Sequence, residues 1–354
     1  MIKNEKTKLS NAVKWLKSKR KLGLTGTPIQ NNILELWSIF DFVMPGYLGE
    51  KRDFRKEHRV LMNMNLMSLE LSKMRLSSTQ KRRLEFLHAK VLPFIMRREK
   101  KDVLKDLPPK IIQDHQCLMT SAQRQIYSVF QNKEADCLET EAKSEVTVQL
   151  NQASSLKNNN VLSTLNNLRK IVNHPFLLES NPIYQNLVSS IRKTVPKKNR
   201  NLSFFLGGKF FGLKSILNSL NYEEEDIFSC QNNQNKMIIF SRFRDCCKLI
   251  IDFFKAVFPF INTLHLSNDL SLRERANLVE QFRIDKNLKV IVLTTKIGGL
   301  GLNLASANVV IMFDHDFNPM NDLQAMDRAH RIGQKRCVNV FRMVMKGLSI
   351  FIGF

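Results

Sequence analysis

The segment Gln324 to Gln334, QAMDRAHRIGQ, carries the densest chemistry in the sequence. On a helix, Gln324, Asp327, Arg328 and Arg331 recur at spacings of three and four and share one face. That face presents two guanidinium groups in fixed geometry, which suits stabilising a transferring γ-phosphoryl group. A solvated basic helix end, where Arg and His favour the dipole, would carry the same pattern. A second segment, Thr294 to Leu304 (TTKIGGLGLNL), follows the apolar run Lys289 to Leu293. Its three glycines, among them Gly298, Gly299 and Gly301, would let backbone N–H groups approach an anion, although a tight strand-to-helix turn reads the same way. A third, Thr25 to Asn32 (TGTPIQNN), offers hydroxyls and amides; Pro28 and the Asn and Thr residues would equally suit a capped first helical turn. No metal site is expected. The six cysteines contain no CxxC pair, and the histidines have no ligand-like spacing.

These segments need a scaffold. From Lys236 onward, short apolar β-type runs alternate with helical stretches. The runs are Met237 to Phe240, Thr263 to Leu266, Val290 to Leu293, Val309 to Phe313 and Val338 to Phe341. Fully apolar strands between helices imply a parallel sheet covered on both faces. The fold class is therefore α/β, with the spacing of a RecA-like domain over residues 236–342. Residues 40–175 read as mostly helical. Residues 151–160, 193–203 and 222–235 are polar and read as exposed loops. Another β-type run, Lys21 to Leu24, leads into the third motif, after a stretch that reads as one basic helix. Nothing nearby supplies a partner for it, and a lone strand exposes both edges and is not stable by itself.

Lys and Arg total 55 against 32 Asp and Glu, a formal charge of +23. Residues 1–110 hold 25 basic and 11 acidic residues. Such a field favours polyanions, nucleic acid first among them. No apolar run approaches the ~18 residues that a membrane-spanning helix needs. MIKNEKTKLS has no hydrophobic signal core. Scattered, unpaired cysteines suit a reduced intracellular compartment.

TGTPIQNN, FIMRREKKDV (Phe94 to Val103) before LPPK, NHPF (Asn173 to Phe176), TTKIGGLGLNL, DFNP (Asp316 to Pro319) and QAMDRAHRIGQ occur in one order along the chain. Together they resemble the Swi/Snf family of DNA-translocating ATPases in helicase superfamily two, over residues 2 to about 347. MPGYLGEKRDF, VLKDLPPKIIQD and GGKFFGLKSIL are most similar to the modifier-of-transcription subfamily, known for removing TATA-binding protein from promoter DNA. The resemblance implies two RecA-like lobes with helical protrusions, ATP and Mg²⁺ as cofactors, double-stranded DNA as partner, and a nuclear location. It implies that Arg328 and Arg331 reach the γ-phosphate and that Gln324 opens their motif. Thr25, Gly26, Thr27 and Gln30 in lobe one, and Thr294, Thr295, Gly298, Gly299, Gly301 and Asn303 in lobe two, would couple nucleotide to DNA. Arg97 and Arg98 match a basic brace between the lobes. The implied organisation is residues 1–105 as the C-terminal remnant of lobe one with its protrusion, 106–204 as brace and lobe-two protrusion, and 205–354 as lobe two.

The sequence also departs from the family. It contains no GxxxxGK[ST] loop and no Asp-Glu dipeptide, so the main ligands for the phosphates and Mg²⁺ are absent from it. The chain is expected to begin just after the family's Asp-Glu box and to be inactive alone. The missing lobe, and TATA-binding protein through regions not present here, would be its partners. A non-catalytic DNA-binding or scaffolding remnant, or a remodelling ATPase of another Swi/Snf subfamily, is the alternative. LSIFIGF replaces an expected acidic helix at the far end. Leu266-Ser267-Asn268 stands where Leu-Asp-Gly is usual, and Phe317 where Trp is usual.

Overall fold

The computed structural model describes residues 2–4, 7–26, 29, 32–59, 78–129, 153–179, 181, 185–194, 200–220, 235–298 and 301–346. They fall into two compact units, Met1–Val103 and Leu104–Phe354.

The first unit is helical: α1 (Lys8–Lys14), α2 (Leu34–Val43), α3 (Lys51–Glu57), α4 (Ser78–Val91) and α5 (Lys100–Val103). Its small core joins Ile33, Leu36, Trp37 and Phe40 of the α2 region to Phe54, Leu87 and Val91. Trp37 Nε1 donates to Gly49 O at 3.2 Å, and Tyr47 Oη donates to Lys90 O at 3.0 Å, so the aromatic polar tips are satisfied. The run Lys21 to Leu24 forms no strand. Leu22 is 81% exposed and Leu24 91%, as befits a β-type segment with no neighbouring strand. The basic helix before it is also shorter than expected, ending at the Trp15 cap.

The second unit holds a six-stranded parallel sheet: β1 (Lys110–Cys117), β2 (Met237–Ser241), β3 (Asn262–Leu266), β4 (Leu288–Thr294), β5 (Val309–Met312) and β6 (Val338–Met345), in the order β1-β6-β5-β2-β4-β3. The helices are α6 (Ala153–Asn173), α7 (Gln185–Thr194), α8 (Gly208–Ser219), α9 (Arg244–Val257), α10 (Leu272–Ile284), α11 (Thr295–Gly298) and α12 (Pro319–Met326). Alternating strand residues feed two cores, as the two-residue side-chain period requires. Met237, Ile239, Val290, Val292 and Ile311 pack with α6, α8 and α9. Ile238, Phe240, Ile291, Leu293 and Val310 pack with α10, α11 and α12. Each such fully buried side chain contributes roughly 1.5–3 kcal/mol.

The α/β expectation for residues 236–342 agrees with the sheet. The helical reading of residues 40–175 misses β1. This strand pairs residue for residue with β6, Lys110 against Val338 through Cys117 against Met345. It is an edge strand, largely exposed, so its side chains carry no apolar run.

Ser271 and Glu274 form a reciprocal capping box at the start of α10. Ser271→Ala is expected to lower stability by about 1 kcal/mol in urea unfolding, with Ser271→Asn close to neutral. Equal losses in both variants would show that the cap bond is not what matters there.

Candidate functional site

The strand order reverses at β2, with β4 on one side and β5 on the other. Open α/β sheets place ligands in the crevice outside the carboxyl ends of strands at such a point. Here those ends carry Ser241 and Arg242, Thr294 and Thr295, and Asp314.

The glycine-rich loop and the twin-arginine segment are one assembly. Leu304 N donates to Arg328 O at 3.2 Å. Gln334 Nε2 donates to Ala307 O at 2.7 Å and Ala329 O at 3.3 Å, and Arg336 Nη2 donates to Ser306 O at 3.0 Å. Gly301 adopts φ +84°, a left-handed turn that favours glycine. Asn303 Oδ1 accepts from Ala305 N at 3.3 Å. Thr294 ends β4, and its hydroxyl donates to Asn268 Oδ1 at 3.1 Å. Thr295 is buried, and its hydroxyl has no hydrogen-bond partner among the described residues. Gly298 closes α11, whereas Gly299 lies outside the described residues.

The single helical face expected for Gln324, Asp327, Arg328 and Arg331 is not what forms. α12 carries Gln324 but ends at Met326, with Asp327 as its cap. Arg328 and Arg331 sit on the following turn, which is held from outside. His330 Nε2 donates to Pro108 O at 2.8 Å, and Lys110 Nζ pairs with Asp327 at 3.2 Å. Arg328 is half-buried and Arg331 exposed. Burial, and then the neighbouring Arg331 charge, lower the pKa of Arg328, with Asp327 opposing.

In the first unit, Thr25 and Gly26 are exposed on irregular chain, and Thr27 and Gln30 lie outside the described residues. Arg97 and Arg98 are exposed, with Arg97 paired to Glu99 at 3.3 Å.

A second constellation was not singled out from sequence. The Phe317 ring is approached by two guanidinium groups, 4.2 Å from that of Arg169 and 4.8 Å from that of Arg242. Burial lowers the pKa of Arg169, as does Arg242, while Asp314, Asp316 and Asp322 oppose. DFNP is a helix start. Asp316 Oδ1 accepts from Asn318 N at 3.1 Å, Asn318 Oδ1 caps Met320 N at 3.0 Å, and Pro319 takes the first turn. Behind it lies a cavity of about 560 Å³ whose lining includes Arg169, Asn173, Lys209, Asp314, Phe317 and Met343. The available signals were weak: Arg169 stands four residues before NHPF, and Lys209 lies inside GGKF.

A parallel α/β sheet with a glycine loop and an arginine turn knit together at its carboxyl edge defines a helicase-type unit. Residues 1–177 match the SNF2-related domain and residues 216–333 the helicase conserved C-terminal domain; the chain belongs to the SNF2 family of ATPases. It is 39% identical over 360 residues to TATA-binding protein-associated factor MOT1 of Saccharomyces cerevisiae, and 39% identical over 362 residues to TATA-binding protein-associated factor 172 of Homo sapiens. Each match covers 98% of this chain and 19% of the relative, so the chain spans about a fifth of the length of these relatives. The crystal structure of the C-terminal part of the Fun30 ATPase domain shares the fold, with a TM-score of 0.51 at 24% identity, covering 68% of this chain and 86% of that one.

Proposed function

We propose that this chain is the C-terminal part of a Swi/Snf-type ATP-dependent DNA translocase that removes TATA-binding protein from DNA in transcription regulation, in the nucleus. The observation that carries the ATPase part is the joined glycine loop and arginine turn, with Arg328 half-buried beside Arg331. The names of the two relatives above support the TATA-binding protein part. In this reading residues 1–105 belong to lobe one, 106–204 to the brace and protrusion, and 205–354 to lobe two.

ATP brings a transferable γ-phosphoryl group. Arg328 and Arg331 fit its negative charge. Thr294, Thr295, Gly298, Gly299, Gly301 and Asn303 would link that charge to nucleic acid, and Thr25, Gly26, Thr27 and Gln30 would do so from lobe one. Arg97 and Arg98 would brace the lobes. The residues present do not fit Mg²⁺: the sequence has no Asp-Glu dipeptide, and among the described residues no cluster of three His, Cys, Asp or Glu could hold a metal. The 354 residues are therefore proposed to bind duplex DNA without turning over ATP.

Two measurements on the purified chain test this. ATP hydrolysis with saturating duplex DNA is expected to equal the blank; DNA-stimulated turnover would overturn the inactivity. Duplex binding is expected to weaken steeply with salt, with a slope of log K on log [salt] of about −4 or steeper, the sign of several phosphate contacts. Salt-insensitive binding, or none, would sink the DNA reading.

A further inference from the structure

The buried lysine of GGKF is tied, through one asparagine and one aspartate, to the backbone of Arg242. We propose that Lys209 is a positioning residue: it orients Asp314, which holds Arg242 against Phe317 at the carboxyl edge of the sheet. For its consequence in DNA contact, this rests on the translocase reading above.

Lys209 is only 4% exposed. Its ammonium donates to Asn173 Oδ1 at 2.9 Å and to Phe313 O at 2.6 Å. Asn173 passes the link on, with Nδ2 donating to Asp314 Oδ2 at 2.7 Å. Ser241 Oγ donates to the same oxygen at 2.9 Å. The other oxygen, Oδ1, takes the Arg242 backbone N–H at 2.5 Å. Asn173, Ser241 and Asp314 are all buried. Asp314 thus has three donors and one nearby buried cation, and its carboxylate is fixed in a single orientation. That orientation sets where the chain leaves β2, and Arg242 is the first residue beyond it. The Arg242 side chain reaches Phe317 and lies 3.7 Å from Asp316. Phe317 is 43% exposed, whereas the Arg242 side chain beside it is only 24% exposed and its support is buried.

A lysine buried only for packing would have no particular effect on the Arg242 amide. The chain contains such a control. Lys236, at the start of β2, is also buried and donates to the backbone oxygens of Phe282 and Asp285. It lies at the opposite end of the same strand from Arg242.

The test compares wild type, Lys209→Met and Lys236→Met as full chains, below each variant's unfolding midpoint. Amide hydrogen exchange is followed over residues 239–245 and 313–318. Positioning predicts that Lys209→Met speeds exchange at Arg242 at least tenfold beyond the change elsewhere in the sheet, while Lys236→Met leaves the Arg242 amide as in wild type. Uniformly faster exchange in Lys209→Met, or none, would overturn the proposal. If Lys209→Met does not fold, Lys209→Arg keeps a cation of the wrong shape and reports on the same amide. Duplex titration then reads the consequence: the salt slope should become shallower by about one in Lys209→Met and stay unchanged in Lys236→Met. An unchanged slope in a Lys209→Met chain whose Arg242 amide is loosened would remove the DNA consequence. Failure of wild type to bind DNA would sink the translocase reading, and the exchange result would still decide the positioning.

Discussion

Gly208→Ala should leave the second unit unfolded, or destabilised by more than about 4 kcal/mol. A Cβ at this position would stand 1.8 Å from Leu118 O and 2.9 Å from Leu118 C. Both are backbone atoms at the end of β1, so no rotamer change relieves the clash. The N–H of Gly208 donates to Gln123 Oε1 at 2.9 Å, and Gln123 Nε2 donates to Ile171 O at 2.9 Å and Val172 O at 3.1 Å. Moving the start of α8 outward would therefore strand buried polar groups as well. Four residues on, a Cβ on Gly212 would meet Cys117 Sγ at 2.6 Å, so the same helix face depends on close approach to β1. Gly26→Ala is the contrast: nothing among the described residues lies within 4 Å there, and the change should stay within about 0.5 kcal/mol. Urea unfolding by far-ultraviolet circular dichroism compares the two. A folded Gly208→Ala chain within about 1 kcal/mol of wild type would show that α8 is not held as described.

Acid should destabilise the second unit through His174, by about 3 kcal/mol between pH 7 and pH 4. The ring is fully buried, edge-on to Phe176 and Phe210 at 4.9 and 5.4 Å. Nδ1 accepts from Phe176 N at 3.1 Å, and Nε2 donates to Ser203 O at 3.1 Å. A second proton on Nδ1 would point at an N–H group in a dry site. Burial accordingly lowers the pKa from 6.5 to about 4. Between these values the unfolded chain binds more protons than the folded one. The stability is thus fully present above pH 6.5 and is lost as pH falls towards 4. Burial lowers His115 and His265 of the same unit too, so the wild-type slope sums several groups. The difference between wild type and His174→Gln isolates the one ring: the variant is weaker at pH 7 and should lose about 3 kcal/mol less on going to pH 4. Parallel pH profiles would refute the assignment.

β2, β4 and β5 were legible because both their faces are buried, which leaves continuous apolar runs in the sequence. β1 was not. KIIQDHQC is an edge strand whose partner β6 lies more than 200 residues downstream, and nothing in its own side chains announces the pairing. Lys21 to Leu24 shows the reverse error, a β-type run that stays irregular because no strand lies beside it.

The site divides in the same way. Local spacing singled out the glycine loop and the two arginines as candidates, because residue types suited to an anion stand close together along the chain there. It placed Arg328 and Arg331 on a helix, whereas long-range bonds from Pro108, Lys110 and Leu304 accompany a turn. The sequence by itself determined the α/β alternation and proposed the residues for phosphate contact. Only the tertiary structure decided the strand order, the turn that presents the arginines, and the buried chain from Lys209 through Asn173 and Asp314 to Arg242. Those four residues come from segments distant in sequence. A buried charge is tolerated only where all its partners meet, and that meeting is a property of the packed sheet.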